Sequence, residues 1–227
     1  MATASRRFSR KNLRQPDWFQ VTTEKAFELY ASHRPKALAA GAALIVLLLS
    51  VWGWQMFKER QEAMASAEFG QAMALFQEGK HNEAAPAFEK VEAYRWSRYA
   101  ALAYLYQANS LLAVDDIDKA IQAAQRFVAA TKPDSMCRQI GLFTLAYAEE
   151  RKRQFKDASG HYAEAEKISG PFRAPAIMGR ARSAEQLGDD KAALAAYKDY
   201  LREQPGSLVS LRIAELEAKA PAQPAAK

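Results

Sequence analysis

At 227 residues the chain is long enough for one domain or two small ones, and 49% hydrophobic residues exclude a wholly disordered protein. The formal charge of +6 is concentrated at the start: residues 1–36 hold Arg6, Arg7, Arg10, Lys11, Arg14, Lys25, Arg34 and Lys36 against Asp17, Glu24 and Glu28, whereas residues 37–227 carry 24 Lys and Arg against 23 acids. The larger part is therefore almost neutral, which argues against a nucleic-acid footprint there, and the single cysteine, Cys137, excludes a disulfide scaffold.

Residues 1–36 form a basic arm. Within its stretch QPDWFQVTTEKAFELYASHRPK, Thr22 or Thr23 can cap a short amphipathic helix that carries Phe27, Tyr30 and Ala31 at helical spacing, and Pro35 breaks the run. Such a helix either only sets topology through its basic residues, or lies on the cytoplasmic membrane face, or docks a partner.

Residues 37–57 read ALAAGAALIVLLLSVWGWQMF, 21 residues without one ionisable side chain. At about 1.5 Å per residue this is about 31 Å of helix, the thickness of a hydrocarbon core. Its only polar side chains are Ser50 and Gln55, and Tyr30, Trp52 and Trp54 stand near its ends, where amphipathic rings prefer the headgroup layer. A cleaved signal peptide is the rival reading, because residues 63–67 contain small-x-small patterns. The apolar run is too long for one, however, and Lys58-Glu59-Arg60 separates it from those sites. The basic arm on one side and only Lys58 and Arg60 soon after place the amino terminus in the cytoplasm and residues 58–227 across the membrane. No proline or turn cluster interrupts Lys36 to Glu78, so the span is expected to run unbroken into the first repeat helix.

Beyond Phe57 the pattern is all-α, with sparse Gly and Pro and no β-branched run. Four segments align on an alanine early in every second helix: GKHNEAAPAFEKV, VDDIDKAIQAAQRFV, KRQFKDASGHYAEAEKI and LGDDKAALAAYKDYL. The anchors are Ala84, Ala120, Ala158 and Ala193, and twelve residues before each stands another alanine: Ala72, Ala108, Ala146 and Ala181. Four residues after the anchor comes an aromatic, Phe88, Tyr162 or Tyr197, with Ala124 as the exception. Small residues let two helices of a hairpin approach, and the aromatic fills the gap beside them. Gly79 and Gly188 end first helices in the left-handed conformation, Asp115 and Arg153 take that place in the middle repeats, and Pro133 and Pro205 close second helices.

This register resembles the tetratricopeptide repeat. The resemblance implies an α-solenoid of about four hairpins over residues 58–219, with SLVSLRIAELEAKA as a capping helix, before a disordered tail at 220–227.

The corner EGKHNEAAPAFEKV looks like chemistry and is not. A phosphate loop would need Gly at Ala74 and Ser or Thr at His81, and a zinc helix would need a second histidine near His81. Instead Gly79 stops one helix, Asn82 or a neighbour starts the next, and Pro86 falls near its start. No nucleophile motif appears, and Asp115-Asp116 and Asp189-Asp190 read as helix-start acids. The chain is thus expected to be no enzyme, with no cofactor, metal or small-molecule substrate.

In the resembled family the first helices line a concave partner surface. Carried over by register, that surface holds Phe69, Met73 and Phe76, then Leu102, Leu105, Asn109 and Leu112, then Ile140, Phe143, Tyr147 and Glu150, and last Met178, Arg182 and Glu185. Clamps for peptide carboxy termini use Lys and Asn at these places and only Asn109 fits, so the implied groove suits apolar polypeptide segments. The competing reading is that these residues pack between repeats. Tyr94-Arg95-Trp96 sits at a repeat junction and reads either as stacking or as a recognition patch.

Basic arm, single span and repeats together resemble the ancillary subunit of the bacterial Sec translocon, a bitopic inner-membrane protein with a periplasmic repeat domain. That resemblance implies translocon subunits, periplasmic chaperones and emerging polypeptides as partners, and handover of translocated proteins as the function. A structural scaffold for another envelope assembly, such as cell-division, cytochrome-maturation or secretion machinery, has the same layout.

Overall fold

A computed structural model describes residues 22–24 and 34–219. The expected helix around Phe27 and Tyr30 and the tail at 220–227 lie outside the described residues. Thr22 and Thr23 fall in a three-residue helical stretch.

Nine longer helices are described: α1 (Arg34–Gln77), α2 (His81–Glu92), α3 (Arg98–Ala113), α4 (Ile117–Ala130), α5 (Met136–Arg151), α6 (Phe155–Lys167), α7 (Arg173–Gln186), α8 (Asp190–Glu203) and α9 (Val209–Lys219). No strand occurs among the described residues. The chain divides into two compact units, Met1–Phe57 and Lys58–Lys227.

In the first unit, the described part of α1 contains an 18-residue window with mean hydropathy 2.1, long and apolar enough to cross a membrane. Leu47, Leu48, Leu49, Val51 and Trp52 all point into the surroundings. The one hydroxyl among them, Ser50, donates to the Val46 carbonyl one turn back at 2.7 Å, so it makes little demand on a solvent.

In the second unit, α1 from Ala65 to its end pairs with α2, α3 with α4, α5 with α6 and α7 with α8, and α9 closes the stack, as the repeat register predicts. Every register alanine is fully buried: Ala72, Ala84, Ala108, Ala120, Ala146, Ala158, Ala181 and Ala193 each show 0% exposure. Phe88, Tyr162 and Tyr197 fill the space beside them. Ala124 is buried as well, and Leu111, Leu112 and Leu145 occupy the room an aromatic would take. Gly179 allows a close approach of α7 to α6, since a Cβ there would lie 2.3 Å from the Tyr162 ring.

The four corners within hairpins close in one way. Gly79, Asp115, Arg153 and Gly188 have φ between 63° and 74°. The next residue's N–H reaches back to the carbonyl five residues earlier, as in Lys80 to Leu75, Asp116 to Leu111, Gln154 to Glu149 and Asp189 to Ala184 at 2.8–3.0 Å. Asp116 and Asp189 then cap α4 and α8 with their carboxylates.

The first corner departs from expectation. Helix α2 starts at His81 after Lys80, so Asn82 lies inside it and Pro86 is its sixth residue. The proline ring therefore removes a ladder donor from the helix body, and not one of the first-turn N–H groups that lack partners anyway. Both Asn82 and Pro86 are exposed, which leaves the Asn82 carbonyl open to water.

Candidate functional site

The first-helix residues separate into those used up by packing and those left accessible. Phe69 and Phe76 belong to an aromatic cluster: Phe69 stands 5.5 Å from Phe88, 5.2 Å from Tyr99 and 5.7 Å from Tyr106, and Phe76 lies 5.5 Å from Tyr106 and 5.1 Å from the His81 ring. Met73 packs against the same cluster, and Leu105 and Leu112 are buried. Met178 is half-buried against the cluster under α9. Leu102 and Ile140 are half-buried.

Charged groups at the end of each first helix are tied up in the third and fourth repeats. The Tyr162 hydroxyl donates to Glu150 at 2.7 Å, and Arg182 from the next repeat donates to the same carboxylate through Nε and Nη2, both at 2.8 Å. One repeat on, the Tyr197 hydroxyl donates to Glu185 at 2.6 Å and Arg212 of α9 donates through Nε at 2.6 Å. Burial pushes the Glu150 and Glu185 carboxylates up, but the Arg and Tyr hydrogen bonds outweigh it and hold both below the usual range. Burial and the facing carboxylate raise both phenols, so they remain donors. The Tyr–Glu spacing of twelve residues, present at 162/150 and at 197/185, is a sequence signal for these bonds.

In the second repeat this arrangement is absent. Leu112 stands where Glu150 and Glu185 stand, Ala124 where the tyrosines stand, and Tyr147 where Arg182 stands. With neither carboxylate nor guanidinium at these register positions, Tyr147 is left 39% exposed. It lines a cleft of ≈ 300 Å³ with Asn109, Leu112, Ala113, Phe143, Thr144 and Arg151. The structure thus brings together Asn109, Leu112, Phe143 and Tyr147 of the expected surface and leaves Phe69, Met73, Phe76, Leu105, Met178 and Arg182 outside this cleft. Phe143 forms its floor, held by the Tyr162 ring at 5.7 Å and the Phe172 ring at 5.1 Å. Arg151 at its rim pairs with Asp115 at 2.7 Å. The result is an apolar slot with an aromatic wall, a polar amide and a cation, suited to an inserted side chain of a polypeptide.

A second cleft of ≈ 380 Å³ involves α2, α3 and α4 and is lined by Pro86, Glu89, Gln107, Leu111, Lys119 and Arg126 among others. Its charges alternate in sign and it has no aromatic wall. Beside Arg126 lies Glu92, whose Oε2 accepts from Arg126 at 3.2 Å while Oε1 is buried without a partner. Burial pushes this carboxyl up to about 7. His161, the other titrating group of interest, meets Glu149 at 2.7 Å, which raises the imidazole against the opposing effect of burial.

The tetratricopeptide repeat-like domain family matches residues 33–218. The chain belongs to this family. Tetratricopeptide repeat-like domains serve in general as scaffolds that bind proteins. No curated protein sequence matches the chain significantly. Among solved structures, this repeat-like chain is similar to residues 41 to the end of MamA from Desulfovibrio magneticus RS-1, at 18% identity and TM-score 0.54, covering 62% of this chain and 77% of that one. It is similar to PilF of Pseudomonas aeruginosa at 16% identity and TM-score 0.57, covering 70% of each. It is also similar to a Podosopora anserina protein of the kinesin light chain type with nearly identical repeats, at 16% identity and TM-score 0.56, covering 69% of this chain and 87% of that one. At these identities the likeness extends to the fold.

Proposed function

We propose that this tetratricopeptide repeat-like protein is a non-enzymatic, single-pass adaptor of the bacterial inner membrane. Its amino terminus lies in the cytoplasm, and its repeat domain lies in the periplasm and binds polypeptides there. The cleft at Asn109, Leu112, Phe143 and Tyr147 is the observation that carries the reading, because it is the place where the first-helix face keeps apolar and aromatic surface for a partner. The exposed apolar run of α1 and the basic residues before it support the anchor and its orientation. The resemblance of arm, span and repeats to the ancillary Sec translocon subunit supports a site beside the translocon, with handover of emerging proteins to chaperones.

The test is photocrosslinking in cells from a benzoylphenylalanine placed at Tyr147. Translocon subunits and many nascent chains as products support handover. One stable folded product supports a scaffold for another envelope assembly, and adducts equal to those from an exposed control position such as Lys132 would remove the cleft from either reading.

A further inference from the structure

The turn between α2 and α3, residues 94–98, is aromatic and basic, and its aromatics have different fates. Tyr94 and Tyr99 pack against the first-repeat cluster, and Tyr99 stands 5.2 Å from Phe69. Trp96 is 57% exposed, between exposed Arg95 and Arg98. An exposed tryptophan flanked by arginines has an apolar body and a polar edge, which is the composition that settles in a bilayer headgroup layer.

Its place in the chain matters as much as its chemistry. Glu62 accepts from the Ser97 hydroxyl at 2.6 Å, from the Arg98 backbone N–H at 3.2 Å and from Arg98 Nε at 2.5 Å. The turn is thereby fastened to Glu62, and Ser97 caps α3 by accepting from the Tyr99 N–H at 3.1 Å. Glu62 is five residues past Phe57, where the apolar run ends, and five residues reach at most about 18 Å even when fully extended. Connectivity alone therefore keeps Glu62, to which the turn is fastened, within that reach of the end of the apolar run. The neighbouring exposed Lys58 and Arg60 add positive charge at the same end.

We propose that residues 94–98 dock on the membrane surface, with Trp96 in the headgroup layer and Arg95 on the phosphate of an anionic lipid. Arg98 is already engaged by Glu62, whereas exposed Arg95 has no ion pair among the described residues. This docking rests on the reading of residues 37–57 as a membrane span.

The experiment uses the full chain in vesicles of phosphatidylcholine and phosphatidylglycerol. Two single-tryptophan forms are made, one keeping Trp96 (W18F, W52F, W54F) and one keeping Trp54 (W18F, W52F, W96F). With 6,7-dibrominated lipid, Trp96 emission falls by about half and shifts to the blue, as for an interfacial indole. Arg95→Glu in the Trp96 form reduces that quenching and leaves quenching in the Trp54 form unchanged. Trp54 quenched while Trp96 responds only to aqueous acrylamide overturns the docking and keeps the span. If neither tryptophan is quenched, the span fails and the docking with it. Quenching of Trp96 that is equal in vesicles without phosphatidylglycerol overturns the role of Arg95 in holding an anionic lipid.

Discussion

Arg182 grips Glu150 with two hydrogen bonds of 2.8 Å across the boundary between the third and fourth repeats. The two residues are 32 positions apart in sequence. A paired geometry of this kind fixes how one hairpin sits on the next, because a planar guanidinium and a carboxylate match in only one orientation. Replacing Arg182 with Lys keeps the charge and loses the fork. We expect a loss of about 1–2 kcal/mol by urea unfolding, and a coupling with Glu150→Gln of about 0.5–3 kcal/mol in a double-mutant cycle.

Helix packing at Gly179 admits no side chain. Gly179→Ala places a methyl against the Tyr162 ring and should cost about 1–3 kcal/mol, read as a lower Tm. Gly160→Ala, on the exposed side of α6 with open space around it, should raise stability by about 0.5–1 kcal/mol. Equal effects of the two substitutions would contradict the packing described for α6 and α7.

Arg153 adopts φ 65° and plays the part that glycine plays at Gly79 and Gly188. Arg153→Gly relieves the Cβ of that conformation and should stabilise the domain by about 1 kcal/mol, while Gly188→Ala should destabilise it by a similar amount. Thermal unfolding of both variants decides the point.

Glu92 makes stability depend on pH. Its folded pKa, about 7, lies above the ordinary value of 4.5, so the folded state holds a proton that the unfolded state has released. The contribution is fully present below pH 4.5 and is lost as pH rises through 7. His161, also raised, acts in the same direction: its contribution is fully present below 6.5 and is lost as pH rises through its higher folded pKa. Glu92→Gln should therefore unfold with a smaller loss between pH 5 and pH 8 than the parent chain, by on the order of 1–3 kcal/mol, in denaturant titrations at both pH values. An unchanged pH profile would show that Glu92 is solvated.

Tyr147 and Phe76 separate binding from packing. Tyr147→Ala is expected to change stability by no more than about 0.5 kcal/mol and to abolish crosslinking from a benzoylphenylalanine placed at Asn109 of the same cleft. Phe76→Ala opens the aromatic cluster and should cost about 3–5 kcal/mol. A Tyr147→Ala chain that unfolds would mean that the tyrosine belongs to the core.

The repeat fold was legible in the sequence because alanines are informative where helices touch. Ala84, Ala120, Ala158 and Ala193 set one register, Ala72, Ala108, Ala146 and Ala181 a second, and all eight are inaccessible in the folded chain. The site was legible only in part. Register placed Tyr147 and Arg182 on the same face, but which of them is free depends on partners far away in sequence. Arg182 is consumed by Glu150, and Tyr147 has no such partner because Leu112 replaces the acid. Gln139 shows the same limit. It is fully buried and donates to the Ile168 carbonyl at 2.5 Å and the Ala165 carbonyl at 3.3 Å, at the end of α6, a role that neither periodicity nor motif announces.

The boundaries along the repeat array are held by different forces. Aromatic rings join the first repeat to the second. Half-buried Tyr–Glu–Arg groups join the third repeat to the fourth and the fourth to α9. Between the second and third lie aliphatic contacts and two ion pairs, Arg151–Asp115 and Lys152–Asp118, whose carboxylates are 77% and 72% exposed. Salt screens exposed pairs and barely touches the others. Added salt therefore weakens the two ion pairs at this joint and leaves its aliphatic contacts in place, and Arg151 of one of those pairs also lines the cleft of Tyr147.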